Sequence, residues 1–373
     1  DGYSFEVIAT EVLTSTPQAV EWISFEDWVE SAEWSTAGSS SEGKVMVKLE
    51  DGTIVRFKAR KNLAVEVLDL KQLGVKAAKN DSQKNVAITK SELAKLRVAV
   101  ASDLETYLQM AWLNRFLGGF YNQWAGATTD ESVAKQTKRF VKMMKSLSGR
   151  YSLPFDYDAF DHQPSLRQLV QLIKIACDVG LVNVPSENVL EYQSIVCRVL
   201  AGMENATLSS KEDGVEVKFR VKGGLMSGLR WTSLLGNAWN TVMTSLVIAI
   251  LRDLGVETET IDRWIRGDDS AIMTDNWGTA EMIRLGYQAI AVKGGEGKFG
   301  IHYEKSEFLR TWITPDRMSG YIARAVPGWT QRKPWTSRPW SEVNTLEALE
   351  EVKGVLCRRG ADSKAVALLW TEA

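Results

Sequence analysis

Arg266-Gly267-Asp268-Asp269-Ser270 sets two carboxylates side by side between a glycine and a small hydroxyl. Trp264 and Ile265 precede this stretch, and Ala271, Ile272 and Met273 follow it. Apolar runs of strand length on either side of a glycine turn predict a hairpin of two short buried strands with an acidic tip. Adjacent like charges repel. Such a tip is tolerable when solvated, or when a cation sits between it and a third acid.

The rest of the chain does not read as a regular βαβ series. A Trp-rich helical piece is followed by a hairpin over Lys44 to Lys58, turning at Asp51-Gly52. Ser35 to Gly43 reads as a flexible loop and Leu63 to Lys76 as one helix. Helices dominate from Leu104 to Leu147. Then come the strand-like FDYDAFD, helices over Pro164–Val179 and Ser186–Met203, and an alternating strand Val215–Val221 entered by an Asp213-Gly214 turn. A long helix over roughly Leu229–Leu254 precedes the acidic hairpin. Beyond it lie a helix at Ala280–Leu285, the glycine-rich KGGEGKFG, and a strand EFLRTWI. A proline-punctuated loop PGWTQRKPW leads to helices near Val343–Leu356 and Ser363–Leu369. Strands mixed irregularly with helices predict an α+β fold. With 373 residues, 45% of them hydrophobic, the chain suffices for one large domain or two to three subdomains.

Composition excludes several chemistries. Three cysteines, Cys177, Cys197 and Cys357, are far apart and form no Cys-x-x-Cys, so neither a zinc site nor a disulfide framework is indicated. A reducing, intracellular setting fits best. Only His162 and His302 are present, which rules out a mechanism built on several histidines. The longest apolar run, Val242 to Leu251, is too short to span a bilayer. No signal peptide is visible. The chain begins at Asp1, which is expected of a fragment or a processed product.

A net charge of −2 gives no hint of nucleic acid, but the distribution says more. Arg56 to Lys61 is a basic cluster closing the first hairpin. Lys135, Lys138, Lys142 and Lys145 recur at helical spacing with Arg139 beside them. Val133, Phe140, Val141, Met144 and Leu147 form the other face of that helix, and the bland reading is a solvated amphipathic helix.

A second acidic cluster, Phe155-Asp156-Tyr157-Asp158-Ala159-Phe160-Asp161, changes the weight of the first. In a strand, Asp156 and Asp158 share a face, and Asp161 falls where the strand gives way to a helix. A strand-end carboxylate facing the Asp268-Asp269 tip makes an oxygen-rich cage that suits Mg²⁺ or Mn²⁺ and not Zn²⁺. Two such ions activate a hydroxyl and stabilise a departing phosphate. Taken singly, each Asp is as well explained as a helix or turn cap.

Ser227-Gly228-Leu229-Arg230-Trp231-Thr232 opens the long helix, with Asn237 and Asn240 following. A Ser-Gly loop before a helix leaves backbone N–H groups that approach a phosphate or sugar. Thr232 and Asn240 lie within about 80° of each other on the helix, a polar sector on an apolar rod. Here too, capping and locally bonded core residues explain the same pattern.

In this order, DYDAFD, SGLRWTSLLGNAWN and GDD resemble motifs A, B and C of a viral RNA-dependent RNA polymerase, most similar to those of totivirus-like double-stranded RNA viruses. KSELAKLRVAVASD (Lys90 to Asp103) looks like motif F of the fingers. SEFLR (Ser306 to Arg310) and GYIARAV (Gly320 to Val326) are similar to segments that follow the palm. The resemblance covers roughly Lys90 to Val326.

The resemblance implies a right-hand polymerase. An N-terminal region and fingers would occupy 1–155, and a palm of antiparallel sheet plus helices 156–315. A fingers insertion would lie near 180–215, and a small thumb or C-terminal part at 316–373. It implies Asp156 and Asp268 as main metal ligands, with Asp269 as an additional or indirect one, holding two ions of Mg²⁺ or Mn²⁺. Asp161 would meet the ribose 2′-hydroxyl with Ser227, Thr232 and either Asn237 or Asn240. Lys95 and Arg97 would neutralise the incoming triphosphate, with Lys90 a weaker choice. Lys298 best fits the lysine that protonates pyrophosphate, ahead of Lys293 and Lys305. The implied partners are RNA template and product, NTPs and a viral capsid protein, with no membrane. The implied place is the virion interior or host cytoplasm.

The sequence departs from the totivirus pattern at Gly236, where an Asn usually stands, and at Asp161, where Asn is frequent. A reverse transcriptase would put a bulky residue at Asp161 and an aromatic before the Asp pair. A non-catalytic RNA-binding or capsid-linked protein would not need Asp156, Asp268 and Asp269 together.

Overall fold

The computed structural model describes residues 4–36, 39–92, 95–212, 215–295, 300–325 and 341–372. Asp213-Gly214, Lys298 and the PGWTQRKPW loop lie outside the described residues, as do the side chains of Lys90, Lys95 and Arg97. The chain divides into two discontinuous compact units. One comprises Asp1–Ile88, Val98–Thr129 and Ala159–Ile250; the other comprises Thr89–Arg97, Asp130–Asp158 and Leu251–Ala373.

Helices α1 (Phe5–Leu13) and α2 (Phe25–Glu30) start at Ser4 and Ser24, whose hydroxyls accept from the N–H of Val7 and Asp27. The expected hairpin follows as β1 (Ser39–Lys48) and β2 (Ile54–Arg60), with Gly52 at φ 85° in its turn. Strand β1 takes in Ser39 to Gly43, which composition assigns to a loop. Ser39 pairs with Arg60 of β2, and the register shifts between Ser39 and Lys44. The single helix expected near Leu63–Lys76 is two, α3 (Lys61–Val67) and α4 (Leu70–Ala78). Asp69 breaks the run, because its carboxylate accepts from Gln72 N and starts α4 afresh.

Next come β3 (Lys84–Glu92), β4 (Lys95–Ser102) and α5 (Leu104–Asn114). Asp103 caps α5 through Thr106 N and also accepts from Lys84 N. After α6 (Val133–Leu147) and β5 (Tyr151–Asp156), α7 (Leu166–Gly180) opens with a Ser165/Gln168 capping box. Then follow α8 (Val189–Glu204), β6 (Thr207–Glu212), β7 (Val215–Arg220) and α9 (Thr232–Asp253). The acidic hairpin is β8 (Asp262–Arg266) and β9 (Asp269–Thr274), and α10 (Trp277–Ala289) succeeds it. The short strands β10 (His302–Tyr303), β11 (Ser306–Phe308), β12 (Thr311–Ile313) and β13 (Met318–Gly320) precede α11 (Glu342–Arg358) and α12 (Ser363–Glu372). EFLRTWI is therefore not one strand. Leu309 and Arg310 both take positive φ, 51° and 58°, and fold it into a two-residue hairpin turn.

In the first unit, β3 pairs parallel with β6, and β6 antiparallel with β7, in a sheet of order β4-β3-β6-β7. Its core is aromatic: Trp112 is fully buried edge-on against Trp22, Phe25 and Phe116, with Tyr192 beside it. Helix α9 is long and apolar enough to cross a membrane, but 89% of its apolar window is buried within the fold. Its bounds fall within the long helix expected over roughly Leu229–Leu254, and the buried Trp239 anchors its N-terminal half.

The second unit is built on an antiparallel sheet of order β10-β5-β9-β8. Met143 and Leu147 of α6 pack with Trp264, Ala271, Met273, Phe308 and Ile313. The inward face of α6 thus centres on Arg139, Met143 and Leu147, and Val133 and Val141 are exposed. Arg139 leaves the lysine face: its side chain is 4% exposed and pairs with Glu131 at 2.7 Å. It lies over the rings of Phe140 and Phe308, at 4.3 and 5.1 Å. Arg150 fastens the start of the sheet, donating to Ser146 Oγ, Asp262 and Asp275 at 2.6–2.7 Å. The three cysteines are free.

Candidate active site

The acidic tip lies in the second unit. Strand β5 ends at Asp156, which stands in register opposite Asp269, the first residue of β9. On the other side of β9, Asp269 pairs with Arg266, so Gly267 and Asp268 form a two-residue turn. Gly267 has φ 61° and nothing within 4 Å of where a Cβ would be. The backbone angle, not lack of space, calls for glycine at this first turn position. Asp268 is exposed at the turn, and Asp156 and Asp269 are half-buried. Strand pairing therefore supplies the third acid that the tip requires.

Electrostatics agree. Burial raises the Asp269 carboxyl, the charges of Asp268, Asp156 and Glu307 raise it further, and Arg310 opposes them, leaving its pKa at about 6. Glu307 lies in β11 and Arg310 in the β11–β12 turn, and the sequence alone assigns neither a role. The SEFLR stretch contains both, but only its fold brings their charges to bear on Asp269. Tyr321 Oη donates to Glu307 at 2.7 Å, and burial with that carboxylate pushes the phenol up to about 12.

The strand face opposite Asp156 is held by aromatic packing. Phe155 lies 4.1 Å from the buried Tyr287 of α10 and 4.7 Å from Tyr157. Past Asp156 the chain leaves β5, so Asp158 does not continue the strand face expected of it. Tyr157 bridges to Gly294, Asp158 N donates to Lys293 O, and Gly295 N donates to Asp156 O. The start of the glycine-rich loop is thereby tied to the strand end that carries Asp156. Lys293 is exposed there, and Lys305 is exposed beside β11.

The all-carboxylate donor set and its mutual repulsion fit a hard divalent cation. Among the described residues, no three His, Cys, Asp or Glu side chains converge as a finished metal site.

The remaining candidates lie in the first unit. Ala159 takes φ 45° and starts a short 3₁₀ turn, Phe160–His162. Asp161 O accepts from Leu225 N at 2.6 Å, and Gly224 N donates to Pro164 O. Ser227 Oγ accepts from Val100 N at 3.0 Å, and Ser102 Oγ donates to Gly228 O. A Cβ on Gly228 would lie 1.7 Å from Val100 O, so only glycine permits this loop to lie on β4. Thr232 Oγ1 donates to Met226 O and Leu229 O, closing the loop at the helix start. Asn237 and Asn240 are buried; the former donates to Ser233 O and the latter accepts from Thr244 Oγ1. Gly236 has a packing reason: a Cβ would meet Leu225 at 3.3 Å and Phe160 at 3.4 Å. Asp161, Ser227, Thr232, Asn237 and Asn240 thus share one unit, and Asp156, Asp268 and Asp269 share the other. Lys95 and Arg97 stand on β4 in the segment Thr89–Arg97.

Comparison with known proteins places this architecture. The viral RNA-directed RNA-polymerase family profile matches residues 12–330. A probable RNA-directed RNA polymerase of Giardia lamblia virus (isolate Wang) is 25% identical over 317 residues, covering 76% of this chain and 16% of that protein. The crystal structure of the RNA-dependent RNA polymerase of a human picorbirnavirus has a TM-score of 0.61 at 13% identity. It covers 94% of this chain and 66% of the other, a likeness of fold. The family profile spans most of the sequence, and the chain belongs to the viral RNA-directed RNA polymerases.

Proposed function

We propose that this chain performs template-directed RNA synthesis, joining NTPs to the 3′ end of a growing RNA and releasing pyrophosphate. The observation that carries this reading is the register of Asp156 against Asp269, beside Asp268 in a glycine turn. Burial, and after it the charges of Asp268 and Asp156, raise the Asp269 carboxyl to about 6, and a bound divalent cation would offset both.

The family uses divalent metal. In this chain Asp156 and Asp268 would hold it directly and Asp269 directly or through water, as two Mg²⁺ or Mn²⁺ ions. Bound there, the ions would supply charge for the attacking hydroxyl and the departing phosphate. The protein contributes position and charge. Lys95 and Arg97 would offset the triphosphate. Asp161 would accept from the ribose 2′-hydroxyl. Ser227 accepts from Val100 N and keeps its own hydroxyl hydrogen for a nucleotide oxygen. Thr232 and the buried Asn237 and Asn240 would set the shape of that pocket, with one Asn reaching the sugar. Lys298 would deliver the proton to pyrophosphate.

In the same reading, residues 1–155 supply an N-terminal region and fingers, 156–315 the palm and 316–373 a small thumb. Strand β5 already begins at Tyr151, so the palm sheet takes in residues ahead of 156. RNA template and product and NTPs are the substrates, a capsid protein is a partner, and the enzyme works in the virion interior or host cytoplasm.

The test is incorporation of labelled NTP on an RNA template with Mg²⁺ or Mn²⁺, wild type against Asp268→Asn. Incorporation in the wild type that vanishes in the variant is expected. Equal incorporation in both would sink the site assignment.

A further inference from the structure

Lys135, Lys138, Lys142 and Lys145 of α6 are all exposed. At about 100° per residue they fall within a sector of roughly 80° and follow one another over about 15 Å of helix. The spacings are three, four and three residues, so each lysine neighbours the next, and every such like-charge pair disfavours the helix. No Asp or Glu occurs in Val133–Leu147. Glu131, just before it, is taken by the inward-turned Arg139. On other helices Lys76 meets Glu105 and Lys353 meets Glu350. None of the four on α6 makes an ion pair among the described residues; Lys142 only lies within electrostatic reach of Asp262.

None of the four lysines is among the charges that act on Asp269 at the acidic tip.

We propose that the exposed lysine face of α6 is a docking surface for the phosphodiester backbone of duplex RNA. Four mobile point charges without a guanidinium fork give no base readout and suit phosphates of any sequence. The exposed sector offers no aromatic ring, and Phe140 is half-buried against Arg139. A single strand would use such rings as stacking platforms, so the duplex is favoured. The choice of RNA among polyanions rests on the polymerase reading.

The experiment measures affinity for a generic 20-base-pair RNA duplex by fluorescence anisotropy across 50–200 mM salt. It compares wild type, the quadruple Lys→Gln variant at 135, 138, 142 and 145, and the quadruple Lys→Arg variant. A control variant carries Lys→Gln at the exposed Lys71, Lys79, Lys174 and Lys364. Four phosphate contacts contribute about 3 to 4 to the log–log salt slope. The α6 Lys→Gln variant should lose that much slope, making its affinity roughly 100-fold less salt-sensitive over this range. The Lys→Arg and control variants should keep the wild-type slope. Asp268→Asn should bind the duplex with full slope even though it does not incorporate NTP, which separates this surface from the catalytic reading. An unchanged slope in the α6 Lys→Gln variant would overturn the proposal. So would an equal loss in the control, a stronger effect on single-stranded RNA, or binding to anionic vesicles in place of duplex.

Discussion

Asp269→Asn should make the metal-free protein more stable. Burial and the charges of Asp268, Asp156 and Glu307 hold the Asp269 carboxyl at about 6, against 3.8 ordinarily. A carboxyl raised in the folded state favours folding only while protonated. That contribution is complete below the unfolded value and is lost as pH rises through about 6. Two pH units correspond to about 3 kcal/mol, the upper bound on what the ionised side chain costs the fold at neutral pH. Asparagine has nearly the same shape and no charge. In EDTA at pH 7.5 the variant should gain about 1–3 kcal/mol in urea unfolding, and the gain should shrink to about 1 kcal/mol or less near pH 4.5. Mn²⁺ should then stabilise the wild type more than the variant, narrowing or reversing the order. A variant no more stable than wild type at pH 7.5 in EDTA would refute the reasoning, as would a gain that does not depend on pH.

Arg139→Ala should destabilise by about 3–5 kcal/mol, because it strands Glu131 next to a buried apolar cluster. Arg139→Met combined with Glu131→Leu should cost less than Arg139→Ala alone, as read by urea unfolding. Gly228→Ala should cost about 2 kcal/mol or more, since its Cβ would overlap a backbone carbonyl at 1.7 Å. Gly236→Ala meets only side chains at 3.3–3.4 Å and gains helix propensity, so it should change stability by no more than about 1 kcal/mol. Thermal unfolding of the two glycine variants side by side checks the contrast.

The acidic hairpin was legible because its turn chemistry and apolar flanks are local. Gly267 precedes the acids, and both strands are buried as their composition demands. The β11–β12 turn was not legible for the opposite reason. Leu309 and Arg310 occupy positive φ without glycine or asparagine, so nothing in EFLRTWI marks a reversal. Arg139 escaped because an arginine among lysines scores as solvent-facing. Glu131, Met143 Sδ and the rings of Phe140 and Phe308 make its burial tolerable. Ser39 to Gly43 lie in β1 although their composition is that of a loop, because Ser39 finds a partner in β2 that composition cannot show.

The site itself divides along the same line. Adjacency of Asp268 and Asp269 is written in the sequence, but opposition of Asp156 and Asp269 is a matter of register. A slip of one residue in β5 against β9 would turn Asp156 to the other face of the sheet, where Phe155 now meets Tyr287. The aromatic packing beneath the strand therefore does chemical service. By fixing Phe155 and Tyr157 against α10, it fixes which face carries Asp156 and keeps three repelling carboxylates together. Burial and, after it, the neighbouring charges raise Asp269, and the apolar packing a residue away offsets that cost. Shrinking Tyr287 should then weaken the acidic cluster without touching any acid in it.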